Sequence, residues 1–170
     1  FITSSFYADS LPNYINYFNS KLNLQNYRDS LWTKVLNDSL YLNYSREDYF
    51  SGEVDWYKVE HDMINGSNNR INDYNPTFPI SFDKDHDPGR ELMGTPWFDE
   101  VMIDLCNLII DEENLGIDEN PDILFVGFSA MDYIIHNYGP FSQEAMDYFI
   151  RLDMQLDRLL NHIDDKVGLE

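Results

Sequence analysis

The stretch PDILFVGFSAMDYIIH, residues Pro121 to His136, decides the fold that this sequence predicts. Its first part, Ile123 to Phe128, is almost entirely apolar, is bounded by proline and serine, and is too short for an independent helix. Such a run is typical of a strand buried on both faces of a parallel sheet. Asp132 and His136 follow it, where the carboxyl ends of parallel strands form a ligand-binding crevice. The predicted fold class is therefore α/β.

Three helices are predicted around this strand. Leu11 to Leu22 repeats apolar residues at helical spacing, and a second helix begins at Thr95-Pro96, where Asp99 and Glu100 complement the positive end of its dipole. The longest helix begins at Ser142 and runs to about Val167. We expect Asp153 to lie on its buried side, in a stripe of apolar residues: Phe149, Leu152, Leu156, Leu159, Leu160 and Ile163.

A single domain is expected over residues 1–170. Residues 1–90 combine a strand at Phe1 to Tyr7, the first helix and an irregular, aromatic-rich insertion, which becomes turn-forming between His61 and Arg90. Residues 91–170 carry a helix, the apolar strand, the polar segment after it and the longest helix. Crossover helices join parallel strands, yet no strand follows the last helix, so the predicted sheet is partial.

The composition excludes several classes of partner. The 31 acidic residues against 11 basic ones give a net charge of −20, which is unsuited to nucleic acid or to an anionic membrane surface. No apolar run approaches the ~20 residues of a membrane span. An anionic substrate would require bound metal ions to reverse the sign of the local field. The single cysteine, Cys106, is expected to be a buried thiol.

Asp132 and His136 are four residues apart, so on a helix both side chains point the same way. A carboxylate oxygen and an imidazole nitrogen together suit zinc. Judged by spacing alone, an aspartate and a histidine four residues apart are more often two exposed surface residues without a shared function, or part of a helix cap. Its position directly after the apolar strand favours the metal-ligand hypothesis.

The segment around this pair resembles the metal motif of the alkaline phosphatase superfamily. The branch it matches holds the zinc phosphatases with a threonine nucleophile and the type I phosphodiesterases, or nucleotide pyrophosphatases. The matching residues are Ser129, Asp132, His136, Gly139 and Pro140. Further similarity follows in the family's order: TSSFYADSLPNYINYFN (residues 3–19), NPTFPISF (75–82), TPWF (95–98) and Arg151-Leu152-Asp153.

The resemblance implies a fragment of an alkaline-phosphatase-like fold, with helices packed on a partial parallel sheet. It also implies that Asp132 and His136 help to bind one of two zinc ions. The nucleophile, the Lys/Arg substrate contacts and the remaining zinc ligands match no residue of this chain, so no catalytic residue is assigned and the chain alone is expected to be inactive. The family's members suggest a periplasmic or secreted parent protein.

Three functions follow from these observations. The first is an internal segment of a zinc-dependent phosphomonoesterase that acts on small phosphate esters. The second is a phosphodiesterase or nucleotide pyrophosphatase of the same superfamily, and the third is a non-catalytic acidic binding module. Because the partners of the strand Ile123 to Phe128 are missing from the sequence, we also expect at least one unpaired strand edge. Either a homodimer formed through this edge or a repacked edge is expected rather than a clean monomer.

Overall fold

The structure, a computed structural model, describes residues 1–27, 29–50, 77–81 and 88–169. Two short strands, β1 (Leu31–Trp32) and β2 (Ile80–Ser81), pair antiparallel. A 3₁₀ helix, Leu24–Tyr27, precedes β1. The α-helices in chain order are α1 (Asn13–Lys21), α2 (Asp38–Tyr44), α3 (Pro88–Met93), α4 (Trp97–Glu112), α5 (Ala130–Tyr138) and α6 (Gln143–Val167).

The long helix α6 organises the fold, since α2, α4 and α5 all pack against it. Its boundaries are those that the sequence predicts. The Ser142 hydroxyl accepts a hydrogen bond from the backbone N–H of Ala145 at 3.0 Å, and Gly168 ends the helix at a positive φ of 84°. These are a side-chain N-cap and a glycine C-cap, which satisfy backbone groups that a helix leaves without partners.

The buried face of α6 differs from the predicted stripe. Phe149, Leu160 and Asp153 are exposed, so these three predictions are wrong. The buried residues cluster in the first turns and include charged and polar side chains alongside Ala145 and Tyr148. A charged residue can occupy a buried face when hydrogen bonds satisfy it, and the apolar pattern alone does not reveal such a position.

The core lies where α5, α6 and β1 meet. Its fully buried members are Trp32, Ala130, Ile134, Tyr138, Ala145 and Tyr148, with Phe78, Ile80, Trp97, Phe98, Met131 and Leu152 packed around them. The Trp32 ring makes edge-on contacts with Phe78 and Tyr138, at centroid distances of 5.5 and 6.2 Å. Aromatic pairs at such distances stabilise a core beyond the area they bury. The core therefore fixes the inner face of α5.

Neither predicted strand, Phe1 to Tyr7 or Ile123 to Phe128, forms in the described residues. Residues 121–129 adopt neither helix nor strand, and Ile123 and Phe125 are largely exposed, whereas Phe1 to Tyr7 contains a turn. A strand of a parallel sheet depends on neighbouring strands for its backbone hydrogen bonds. Among the described residues, no strand forms backbone hydrogen bonds with residues 121–129. This segment therefore has the apolar sequence of a sheet strand but lacks the neighbouring strands that it would need.

Three further predictions concern the single cysteine, the turn-forming segment and membrane-spanning helices. Cys106 is buried in α4, as expected, and burial raises the pKa of its thiol. Most of the predicted insertion between His61 and Arg90 lies outside the described residues. Within the part of the chain that the structure describes, no helix is long and apolar enough to cross a bilayer.

Candidate metal centre

Asp132 and His136 lie on the outward face of α5. The inner face presents Ala130, Ile134 and Tyr138 to the core at a spacing of four residues. Asp132 and His136 are each displaced by two residues from that row, which on an α-helix is about 200° around the axis. Both are largely exposed, with 77% and 70% of their side-chain surface accessible. The helix thus turns its apolar side to the core and its polar pair to the outside.

The pair has a separation that suits one zinc ion. Oδ1 of Asp132 lies 3.6 Å from Nε2 of His136. Two ligand atoms at about 2.0–2.2 Å from a zinc ion and at tetrahedral angles are about 3.3–3.6 Å apart. The separation of these two atoms is therefore compatible with the binding of one metal ion. Among the described residues no third histidine, cysteine, aspartate or glutamate completes the set.

The start of α5 is fixed by a carboxylate from another helix. Oδ1 of Asp99 accepts a hydrogen bond from the N–H of Ser129, and Oδ2 accepts one from the N–H of Ala130, both at 3.2 Å. Ser129 itself makes no side-chain cap. A helix leaves its first N–H groups without intrahelical partners, and an anion at that end also complements the helix dipole. Asp99 therefore caps α5 from a neighbouring helix.

The carboxylate of Asp99 is itself held in place. It is 2% exposed, and the Tyr148 hydroxyl of α6 donates a hydrogen bond to its Oδ2 at 2.6 Å. Burial, followed by this hydrogen bond, raises the pKa of Tyr148, so its hydroxyl keeps its proton and remains a donor. The sequence predicts Asp99 in the first turn of its own helix, as a partner of that helix dipole, and the structure confirms its place there. Its buried position between three helices was not predicted.

The end of α5 is fixed by Arg46. Its Nη2 donates a hydrogen bond to the carbonyl oxygen of Tyr138, the last residue of the helix. Gly139 follows at φ 86°, and a Cβ atom there would lie 3.1 Å from Nη1 of Arg46. Glycine adopts this conformation without strain and leaves room for the guanidinium. A cation at the C-terminus also complements the helix dipole. Both ends of α5 are thus tied to other parts of the fold.

A second aspartate–histidine pair has a different environment. Nε2 of His162 on α6 lies 3.1 Å from Oδ1 of Asp111 on α4, and Nζ of Lys166 lies 2.8 Å from the same oxygen. The hydrogen bond from Lys166 holds the pKa of Asp111 below its usual range. The carboxylate thus already has a cationic partner. This pair joins two packed helices, and a metal ion would have to displace Lys166.

Comparisons with known proteins bear on the motif and on the fold. The family model of type I phosphodiesterase / nucleotide pyrophosphatase matches residues 2–170. The chain belongs to this family, which is part of the alkaline phosphatase superfamily. The resemblance read from Ser129, Asp132 and His136 is therefore confirmed at the level of the family. Their individual roles remain predictions.

Individual relatives cover nearly all of the chain. It is 31% identical over 170 residues to alkaline phosphatase PafA of Elizabethkingia meningoseptica and 27% identical over 169 residues to alkaline phosphatase PhoV of Synechococcus elongatus. A crystal structure of a PafA variant superposes on 96% of the chain with a TM-score of 0.75 at 29% identity. The chain spans 28% of the length of PafA and of PhoV. The α/β fold class, as a fragment of that fold, is confirmed.

Proposed function

We propose that this chain is an internal part of a zinc-dependent phosphate-ester hydrolase, and that Asp132 and His136 are two ligands of one of its zinc ions. The family membership and the relatives named alkaline phosphatase support a hydrolase. The observation that carries the assignment of the site is the 3.6 Å separation of Oδ1 and Nε2 on the outward face of α5. The remaining ligands and the nucleophile would come from elsewhere in a longer polypeptide.

Each residue of the pair has a defined task in this proposal. Asp132 presents an anionic oxygen, and His136 presents a ring nitrogen that must be unprotonated to bind a metal. A zinc ion held by these two residues would supply Lewis-acid stabilisation of charge on phosphoryl oxygens and would lower the pKa of a bound nucleophile or water. The ion would also make the local field positive, whereas the net charge of −20 disfavours an anionic substrate elsewhere on the chain.

The substrate class that we propose is small phosphomonoesters. The two relatives named alkaline phosphatase favour it. A second candidate, hydrolysis of phosphodiesters, is favoured by the family description itself. A third, a non-catalytic acidic binding module, has only the composition in its favour. The parent protein would be periplasmic or secreted, as the family resemblance suggests.

Self-association through residues 121–129 also remains a proposal. Ile123 is 77% exposed and Phe125 is 91% exposed, which leaves apolar surface along a segment with the composition of a strand. Exposed apolar segments of this kind tend to associate with other apolar surfaces, which removes them from water. We therefore propose that the isolated chain forms a homodimer through this segment. A monodisperse monomer in light scattering would count against it.

The test compares two substrates and two forms of the protein. The polypeptide encoded by the complete reading frame should hydrolyse p-nitrophenyl phosphate faster than bis(p-nitrophenyl) phosphate, and removal of zinc should abolish both reactions. The 170-residue chain should hydrolyse neither faster than buffer, because residues that act as a unit lose their effect together. Faster diester hydrolysis would favour the phosphodiesterase. A zinc-loaded complete protein without turnover would leave only the binding module.

A further inference from the structure

Asp99 lies outside the family motif, yet it contacts the helix that carries the candidate ligands. Its carboxylate spans three elements: it sits on α4, accepts hydrogen bonds from the first N–H groups of α5, and receives one from Tyr148 on α6. We propose that Asp99 is a positioning residue, which sets the place and rotation of α5 and so holds Asp132 at the distance from His136 that zinc requires. This inference rests on the proposed metal site.

The position of Asp132 in the first turn of α5 explains how Asp99 can influence the candidate metal site. Ser129 is the N-cap and Ala130 the first residue of α5, so Asp132 is the third residue of its first turn. The first turn of a helix frays when its N–H groups lack acceptors. Loss of the Asp99 carboxylate would therefore release Asp132 before His136, which lies a full turn further into the helix. The pair would lose its separation while the rest of α5 stayed folded.

The other contacts of α5 make this effect local. The inner residues Ala130, Ile134 and Tyr138 are buried, and Arg46 holds the carbonyl oxygen of Tyr138 at the far end. The second half of the helix, with His136, thus keeps its supports when Asp99 is changed. Asp99 supplies side-chain acceptors to the N–H groups of the N-cap residue and of the first residue of α5.

The variant Asp99→Asn tests the proposal with little change in volume. An amide offers one oxygen and one NH₂ group, so it cannot accept from both Ser129 and Ala130 through separate oxygens. In the complete protein, the zinc dissociation constant, measured by competition with a chromophoric chelator, should rise about 10-fold or more. In the metal-free protein, hydrogen exchange at the amides of Ala130 and Asp132 should accelerate while exchange at Ile134 stays slow.

The matched control is Asp147→Asn. Asp147 is also a fully buried carboxylate, but it lies on α6 and its partners are Trp32, Val35, Tyr41 and Arg151 rather than the start of α5. It should leave zinc affinity within about 2-fold of the wild type, because general loss of stability does not move the ligands. Equal losses of affinity in both variants would overturn the positioning role.

A reference variant separates this inference from the proposed function. If His136→Ala does not weaken zinc binding, the metal site itself has failed. If His136→Ala weakens it and Asp99→Asn binds zinc as the wild type does, only the positioning role has failed. Should Asp99→Asn not accumulate as folded protein, Tyr148→Phe removes one donor to the same carboxylate. It should weaken zinc binding in the same direction, and unchanged affinity there contradicts the proposal.

Discussion

The carboxylates of Asp147 and Asp132 lie on neighbouring helices and have opposite surroundings. Asp147 is fully buried and accepts hydrogen bonds from Trp32 Nε1 at 2.6 Å, Val35 N at 2.9 Å, the Tyr41 hydroxyl, and Arg151 Nε at 2.7 Å. Asp132 is 77% exposed and faces an imidazole. A carboxylate whose oxygens are filled by protein donors supports the architecture, whereas an exposed one beside a histidine can offer its oxygen to a metal.

The largest difference between a buried and an exposed aspartate should appear in the free energy of unfolding of the variant Asp147→Ala. It leaves the buried Trp32 Nε1 and Tyr41 hydroxyl without this acceptor and removes the ion-pair partner of the partly buried Arg151. Breaking a buried ion pair from one side costs about 3–5 kcal/mol. Urea unfolding of the 170-residue chain should show this loss. Asp153→Ala, on the exposed side of the same helix, should stay within about 0.5 kcal/mol of the wild type. Similar losses in both variants would refute the contrast.

A smaller effect, with a pH signature, should follow from Tyr41→Phe. Burial and then the hydrogen bond to Asp147 raise the pKa of Tyr41 to about 12. Its contribution to stability is thus complete below pH ~10, the pKa of an unfolded tyrosine, and is lost as the pH rises towards 12. At neutral pH the variant should lose about 1.5–3 kcal/mol, since the bond involves a charged acceptor.

The measurement for Tyr41 is the free energy of unfolding as a function of pH. Between pH 10 and 12 the wild type should lose stability more steeply than Tyr41→Phe, because only the wild type gives up this bond. Tyr44→Phe is the control, since Tyr44 lies in the same helix and is 79% exposed. Parallel curves for the wild type and Tyr41→Phe would show that the bond contributes nothing.

The sequence predicted the boundaries of the longest helix better than it predicted the contacts that join this helix to the rest of the fold. Capping residues such as Ser142 and Gly168 act locally, so the boundaries of α6 could be read directly. Apart from the contact between Asp147 and Arg151, the hydrogen bonds of Asp99 and Asp147 join residues 30 to 115 positions apart, and no periodicity reveals such partners. The prediction of a strand within residues 121–129 failed for a related reason, because a strand forms only when neighbouring strands accept and donate its backbone hydrogen bonds.

The smallest effect should come from the other aspartate–histidine pair. His162→Gln removes a partly exposed contact between α6 and α4 while Lys166 still holds Asp111. Such a change should cost at most about 1 kcal/mol of unfolding free energy, as measured in urea. A loss of several kcal/mol would mean that this pair, like Asp147, supports the architecture.

The zinc content of the complete protein tests most directly whether Asp132 and His136 bind a metal ion. Asp132→Ala and His136→Ala should each remove about one zinc ion per chain and most of the phosphatase activity, because each removes one of a small number of ligands. His162→Ala is the matched control, since it removes a histidine that also lies beside an aspartate, and it should retain the metal content of the wild type. Elemental analysis and activity assays on the three purified variants measure both quantities. If either Asp132→Ala or His136→Ala keeps the full zinc content with normal turnover, then the pair is not a metal ligand set and the proposed site is wrong.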